Sequence, residues 1–185
     1  MQERSGQHES LAGQLLVSHP RMLDPNFHRT VVLLSAHDAE SALGVVLNRP
    51  LPHTLGSHNP SFALTPLAAV PLYQGGPVEQ DKLVLVAWHT RSQTGEFELQ
   101  FGLEPERASA MADVPGVTVR GFLGYAGWGR GQLEKEMRHH TWFTAPAASY
   151  NLGAAEGTAL WRMVLGSLNP ELKLYADEPD DPSRN

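Results

Sequence analysis

Apolar residues fall along this chain in short runs divided by polar and proline-rich connections. Gln14-Leu-Leu-Val17, Arg29–Ala36 and Leu43-Gly-Val-Val-Leu47 have strand length, and Arg29–Ala36 is apolar enough to be covered on both faces. The polar stretch Ala36–Ser41 between the last two is of hairpin length. Leu72–Pro77 reads as a short strand entering a glycine turn, Lys82–His89 and Glu96–Phe101 as a hairpin around Gly95, and Thr141–Thr144 as a last strand. Helical patterning is sparser. Glu104–Ala112 puts glutamates and a proline in a first turn ahead of alanines, Leu133 and Met137 share a helix face, and Gly157–Leu168 turns Leu160, Trp161, Val164 and Leu165 to one side. Leu51–Pro71, rich in Pro, His, Ser and Asn, reads as a long loop with one helical turn near Thr65. Strands outnumber helices and do not alternate with them, which predicts an α+β fold: one compact domain over 11–175 with a mixed or mainly antiparallel sheet. Residues 1–10 read as a disordered tail and 176–185 as an acidic one.

The densest feature is Val119–Met137, which starts as an apolar strand, continues as a glycine run expected to be a loop, and ends as a helix. Glycine tolerates positive φ and close approach of another chain. Gly124 to Gly129 has the glycine spacing of a phosphate loop, but Arg130 stands where the lysine belongs and Gly131 replaces the metal-binding hydroxyl. Glu134 and Glu136 would satisfy the helix start themselves and repel an anion. The stretch therefore reads first as a packing device, with Gly121, Gly124 and Gly127 crossing another backbone while Tyr125 and Trp128 fill the space beside it.

Composition narrows the function. No cysteine is present, which excludes thiol nucleophiles and disulfides and fits a reducing cytoplasm. The formal charge of −6 argues against non-specific nucleic-acid binding, and Arg120, Arg130 and Arg138 around the glycine run read as scattered solvated charges. The start of the chain has no apolar segment of signal-peptide type, and the longest apolar runs are too short to cross a bilayer, so no membrane association is expected. No G-x-S-x-G or H-E-x-x-H motif occurs, and His53 and His58 lack cysteine partners, so neither metal nor cofactor is expected. Asp24, Asp38 and Glu40 read as solvated loop acids, and His139-His140 as a favourable helix end.

Taken in order, Asp24-Pro-Asn-Phe27, Leu47-Asn-Arg-Pro50, Gly75-Gly-Pro-Val78 and Gly124-Tyr-Ala-Gly-Trp-Gly-Arg-Gly-Gln-Leu-Glu134 resemble the AlgH/YqgE family of bacterial proteins. The resemblance runs from about Leu11 toward the tail and departs most in the 51–66 segment. It implies a compact fold with a barrel-like or strongly bent mixed sheet and no established activity; the label of transcriptional regulator carried by some members has no DNA-binding motif behind it. By position it implies that Asn48, Arg49, Gly75, Gly76, Pro77, Tyr125, Trp128 and Gln132 meet around one surface.

The functional expectation is a cytoplasmic, non-catalytic binding or regulatory module, linked at most indirectly to transcription. Its glycine-lined groove would take a small anionic ligand or a protein segment. The alternative is an enzyme, a hydrolase or transferase, in which Asn48 and Arg49 polarise a small anionic substrate and a nearby Asp or His acts as base. The two differ in whether a titratable group stands within hydrogen-bond reach of Asn48 or Arg49.

Overall fold

A computed structural model of the chain describes residues 9–91 and 93–177. Its strands are β1 (Gln14–Ser18), β2 (Val31–His37), β3 (Ser41–Val46), β4 (Pro50–Thr54), β5 (Pro71–Gln74), β6 (Val78–Thr90), β7 (Phe97–Phe101), β8 (Val117–Gly129) and β9 (Trp142–Pro146). The helices are α1 (Leu55–His58), α2 (Pro105–Ala112), α3 (Gln132–Arg138), α4 (Gly157–Leu168) and α5 (Pro170–Ala176). All nine strands belong to one mixed sheet, whose main path runs β4-β5-β8-β3-β2-β1-β9, with β6 on β8 and β7 on β6. Only β5 and β8 pair in parallel. The sheet curls far enough for β7 to approach β2. No ladder joins those two strands, so barrel closure is not reached.

The apolar runs explain this arrangement. In β1 and β2 alternate side chains enter opposite cores: Leu15, Val17, Val31 and Leu33 pack in one, Leu16, Val32 and Leu34 in the other. The first core is covered by α4, whose Leu160, Trp161, Val164 and Leu165 are wholly buried. Each such side chain stabilises the fold by roughly 1.5–3 kcal/mol on transfer grounds. The second core is covered by α3 through Leu133.

Three expectations change. The segment 51–71 is not a bare loop: Pro50–Thr54 forms an edge strand, Thr54 and Ser57 make a reciprocal capping box at α1, and Leu55, Phe62, Leu67 and Val70 enter a third core with Ala108 of α2. Prolines at positions 50 and 52 hide such a strand from pattern reading, because they exclude a central position but not an edge. The glycine run is not a loop either, since β8 continues through Gly121, Gly124 and Gly127 to Gly129. An additional helix, α5, occupies the stretch before the expected acidic tail. Most of that tail and of the expected N-terminal one lies outside the described residues.

Candidate functional site

The site is built around the turn before β2. Asp24 Oδ1 accepts the main-chain N–H of Asn26 at 2.8 Å, and its carbonyl accepts those of Phe27 and His28. Asp and Pro favour this turn because one captures backbone donors and the other presets φ. Arg49, held out beyond β3 by the proline that follows, donates from Nη2 to the carbonyls of Pro25 at 2.8 Å and His28 at 3.3 Å. Partial burial lowers its pKa, and the charge of Asp24 opposes that shift. Pinned in this way, the turn presses Phe27 against Trp128 (5.9 Å between ring centroids) and Trp142 (5.5 Å).

Asn48 is buried and its amide is used internally. Oδ1 accepts the N–H of Val31 at 2.9 Å, while Nδ2 donates to the carbonyls of Arg29 and Gly157, also at 2.9 Å. It fastens the end of β3 to β2 and to the start of α4. Gly75 and Gly76 lie where β5 leaves the sheet and runs across β8. A Cβ at Gly75 would stand 2.3 Å from the Gly124 carbonyl oxygen, and one at Gly76 would stand 2.2 Å from the carbonyl of Tyr125. Neither position admits any side chain.

What remains open is a cleft of about 80 Å³ lined by Asn26, Val46, Arg49, Gln74, Gly76, Pro77 and Gln80. Arg49, Gly76 and Pro77 of the expected surface meet there, with Gly75 adjoining. The other four do not. Tyr125 faces a separate groove of about 500 Å³ beside Lys82. Its hydroxyl donates to Glu79 Oε2 at 2.9 Å, a bond that raises the tyrosine's pKa and lowers that of the glutamate. Trp128 is buried among aromatic rings, and Gln132 caps the end of β8 by accepting the Gly129 N–H at 3.1 Å. The single surface expected of all eight residues thus divides: Asn48 is buried in its hydrogen bonds at the end of β3, and Trp128 is buried in the second core.

Comparison with known proteins agrees with this fold. The AlgH-like family (DUF179) matches residues 15–173. The chain belongs to that family. It is 40% identical to a UPF0301 protein of Streptomyces coelicolor, covering 95% of this chain and 96% of the relative. It is 34% identical to one of Chlorobaculum tepidum over 94% and 95% of the two chains. Among solved structures, the Pseudomonas aeruginosa AlgH protein superposes with a TM-score of 0.64 at 28% identity, covering 98% of this chain and 100% of that one. A Corynebacterium diphtheriae protein gives 0.66 at 26% identity, over 90% and 91%.

Two residues of this AlgH-like chain do more than pattern reading assigns them. Glu136, expected to answer the helix dipole, accepts the indole N–H groups of both Trp128 (2.9 Å) and Trp142 (2.8 Å) on Oε2 and the amide of Gln132 on Oε1. Arg120, expected in solvent, is 6% exposed and lies between the rings of Tyr73 and Trp88. Alternation along β8 places Arg120 on the face of Phe122, so its burial is foreshadowed by the strand pattern. Burial lowers its pKa, with Tyr73 and Glu156 opposing the shift. Among the described residues no helix is long and apolar enough to cross a membrane.

Proposed function

We propose that this AlgH-like chain is a non-catalytic binding module of the cytoplasm, and that the Arg49 cleft holds the anionic group of a small ligand or partner segment. The composition of the cleft supports this reading. Among the described residues its lining offers a guanidinium, three side-chain amides and glycine backbone, with no carboxylate, imidazole or hydroxyl to act as base or nucleophile. Only Nη2 of Arg49 has a hydrogen-bond partner among the described residues, so Nε and Nη1, on different edges of the guanidinium, can each give one charge-assisted hydrogen bond to an oxyanion. A cleft of about 80 Å³ takes a carboxylate or phosphate group and leaves the body of the ligand outside. The same guanidinium holds the 24–28 turn, so occupancy reaches Phe27 and the tryptophans behind it; this is the regulatory element of the proposal.

Ligand-observed NMR with small carboxylic and phosphoric acids, alongside their neutral amides and alcohols, tests the reading. Acids alone bind, remain unchanged over a day, and lose about tenfold in affinity, or about 1.4 kcal/mol, in Arg49→Gln and in Gln80→Ala. Consumption of the bound acid would move the chain to the hydrolase or transferase reading. Equal binding by folded variants would remove the cleft from the account.

A further inference from the structure

The strap 147–156 between β9 and α4 is held down by polar side chains from three strands or strand ends. Arg120 Nη2 donates to the Leu152 carbonyl at 3.2 Å, Tyr73 Oη donates to Glu156 Oε1 at 2.9 Å, and Asn48 reaches Gly157 just beyond the strap. Leu152 and Ala147 are buried, Tyr150 and Ala155 pack in part against the first core, and the rest of the strap is largely exposed. Such segments open at low free-energy cost relative to the core. Gly153 and Gly157, the latter at φ +57, bracket its last turn.

Arg120 is the unusual member of this latch. Its guanidinium lies 4.5 Å from the centroid of the Tyr73 ring and 5.1 Å from that of Trp88. One carbonyl is its only hydrogen-bond partner among the described residues, although a guanidinium carries five N–H donors. Its other N–H groups are not sealed from solvent, so a ligand can reach them. Beside it lies a groove of about 380 Å³, and two of the groove's walls, Trp88 and Leu152, are Arg120's own contacts. Thr118, on the same face of β8, also lines the groove, with Ser149 and Asn151 of the strap and the ring of Phe97. Among the described residues the lining supplies aromatic surface and neutral hydrogen-bonding groups and no charged side chain; Arg120 stands behind Trp88 and Leu152 rather than in the lining itself.

We infer that this groove binds a phosphate monoester with a hydroxylated body. The strap lifts, the phosphate takes the open N–H groups of Arg120, and the hydroxyls and rings of the lining hold the rest. In the closed state Glu156, tied to Tyr73, supplies the counter-charge that the ligand's phosphate replaces. Arg120 suits this task because its fork geometry matches phosphate oxygens, which a lysine would meet only as a point charge.

The test is titration of isotope-labelled full-length protein with AMP and with glycerol phosphate, alongside adenosine and inorganic phosphate. Either ester shifts the Trp88 indole and the amides of residues 148–157 and saturates in the millimolar range, whereas adenosine and inorganic phosphate bind at least about tenfold more weakly. Arg120→Lys weakens binding about tenfold or more. Glu156→Gln and Tyr73→Phe, which release the latch while leaving Arg120 in place, tighten it, an effect that a purely structural arginine would not produce. Arg49→Gln leaves the ester-induced shifts of residues 148–157 unchanged even as it weakens ester binding at the Arg49 cleft, which separates the two sites. The inference is overturned if neither ester moves the strap, or if Glu156→Gln and Tyr73→Phe bind no more tightly than wild type; these two variants decide the matter even where Arg120→Lys fails to fold.

Discussion

Gly76 and Gly124 touch main chain to main chain: a Cβ built at Gly124 would stand 2.6 Å from the Gly76 carbonyl oxygen and 2.9 Å from that of Val78. Gly124 also sits at φ +73, in the middle of a thirteen-residue strand whose first part pairs with β5 and β6 and whose last part pairs with β3. The contact lets the chain leaving β5 cross β8, and it carries Gly76 and Pro77 to the cleft beside Arg49.

Gly124→Ala meets both the positive φ and the crossing backbone, and neither can be relieved by a rotamer change. It is expected to cost about 3 kcal/mol, the sum of left-handed strain and overpacking. Gly127→Ala is the control. Its Cβ would find only the Tyr125 ring at 3.7 Å, an ordinary contact, so the change should stay within about 0.5 kcal/mol. Urea denaturation of the two variants measures the difference, and equal stabilities would contradict the crossing.

Trp128 and Trp142 stand edge to face at 6.1 Å, and both indole N–H groups end on the same oxygen of Glu136. Glu136→Ala strands two donors in a largely apolar setting and should cost about 2–4 kcal/mol, since each unsatisfied group costs about 1–3 kcal/mol. Glu136→Gln keeps a carbonyl oxygen in place and should lose less than half of that. Denaturation together with faster exchange of both indole protons in the alanine variant checks the assignment.

His19 gives the fold a pH dependence of definite sign. Its Nδ1 accepts the Arg21 N–H at 3.1 Å, and its ring stacks on Phe143 at 5.6 Å. Burial, followed by the charges of Arg21 and His140, lowers its pKa from the ordinary 6.5. On acidification the unfolded chain therefore takes up this proton first. The contribution is complete above about pH 6.5 and is lost as the pH falls through the lower folded value. The unfolding free energy of wild type should fall more steeply below neutrality than that of His19→Gln. Parallel profiles would show that the imidazole does not titrate in this way.

Much of the scaffold was legible because its strands carry their own instructions. Val31, Val32, Leu33 and Leu34 have no polar face to offer, so β2 lies between two cores, and α4 begins and ends where its apolar face does. The same local reading failed where the partner was remote. The glycine run of β8 looks like a loop until Gly75 and Gly76 are seen to cross the strand at Gly124 and Tyr125; Gly121 and Gly127, expected to share that crossing, meet only side chains. Thr54 and Ser57 show a capping pair, yet Leu55 and Leu67 reveal their burial only once α2 is placed over them. In the candidate site, the proline at position 50 makes the outward placement of Arg49 legible in the sequence, and Arg49 does line the cleft. Asn48 there reads as readily as a turn cap as a ligand, and its three partners, Arg29, Val31 and Gly157, lie too far along the chain for local pattern to name them.

Mapping the best-binding small acid onto the backbone amides by NMR tests the central proposal most directly. Saturating acid should shift Asn26 and the Gly76–Gln80 segment, reach Phe27 and the Trp128 indole more weakly, and do so far less in Arg49→Gln. Shifts confined to residues 82–85 and 101–105, around the larger groove beside Tyr125, with the Arg49 turn unmoved, would contradict it.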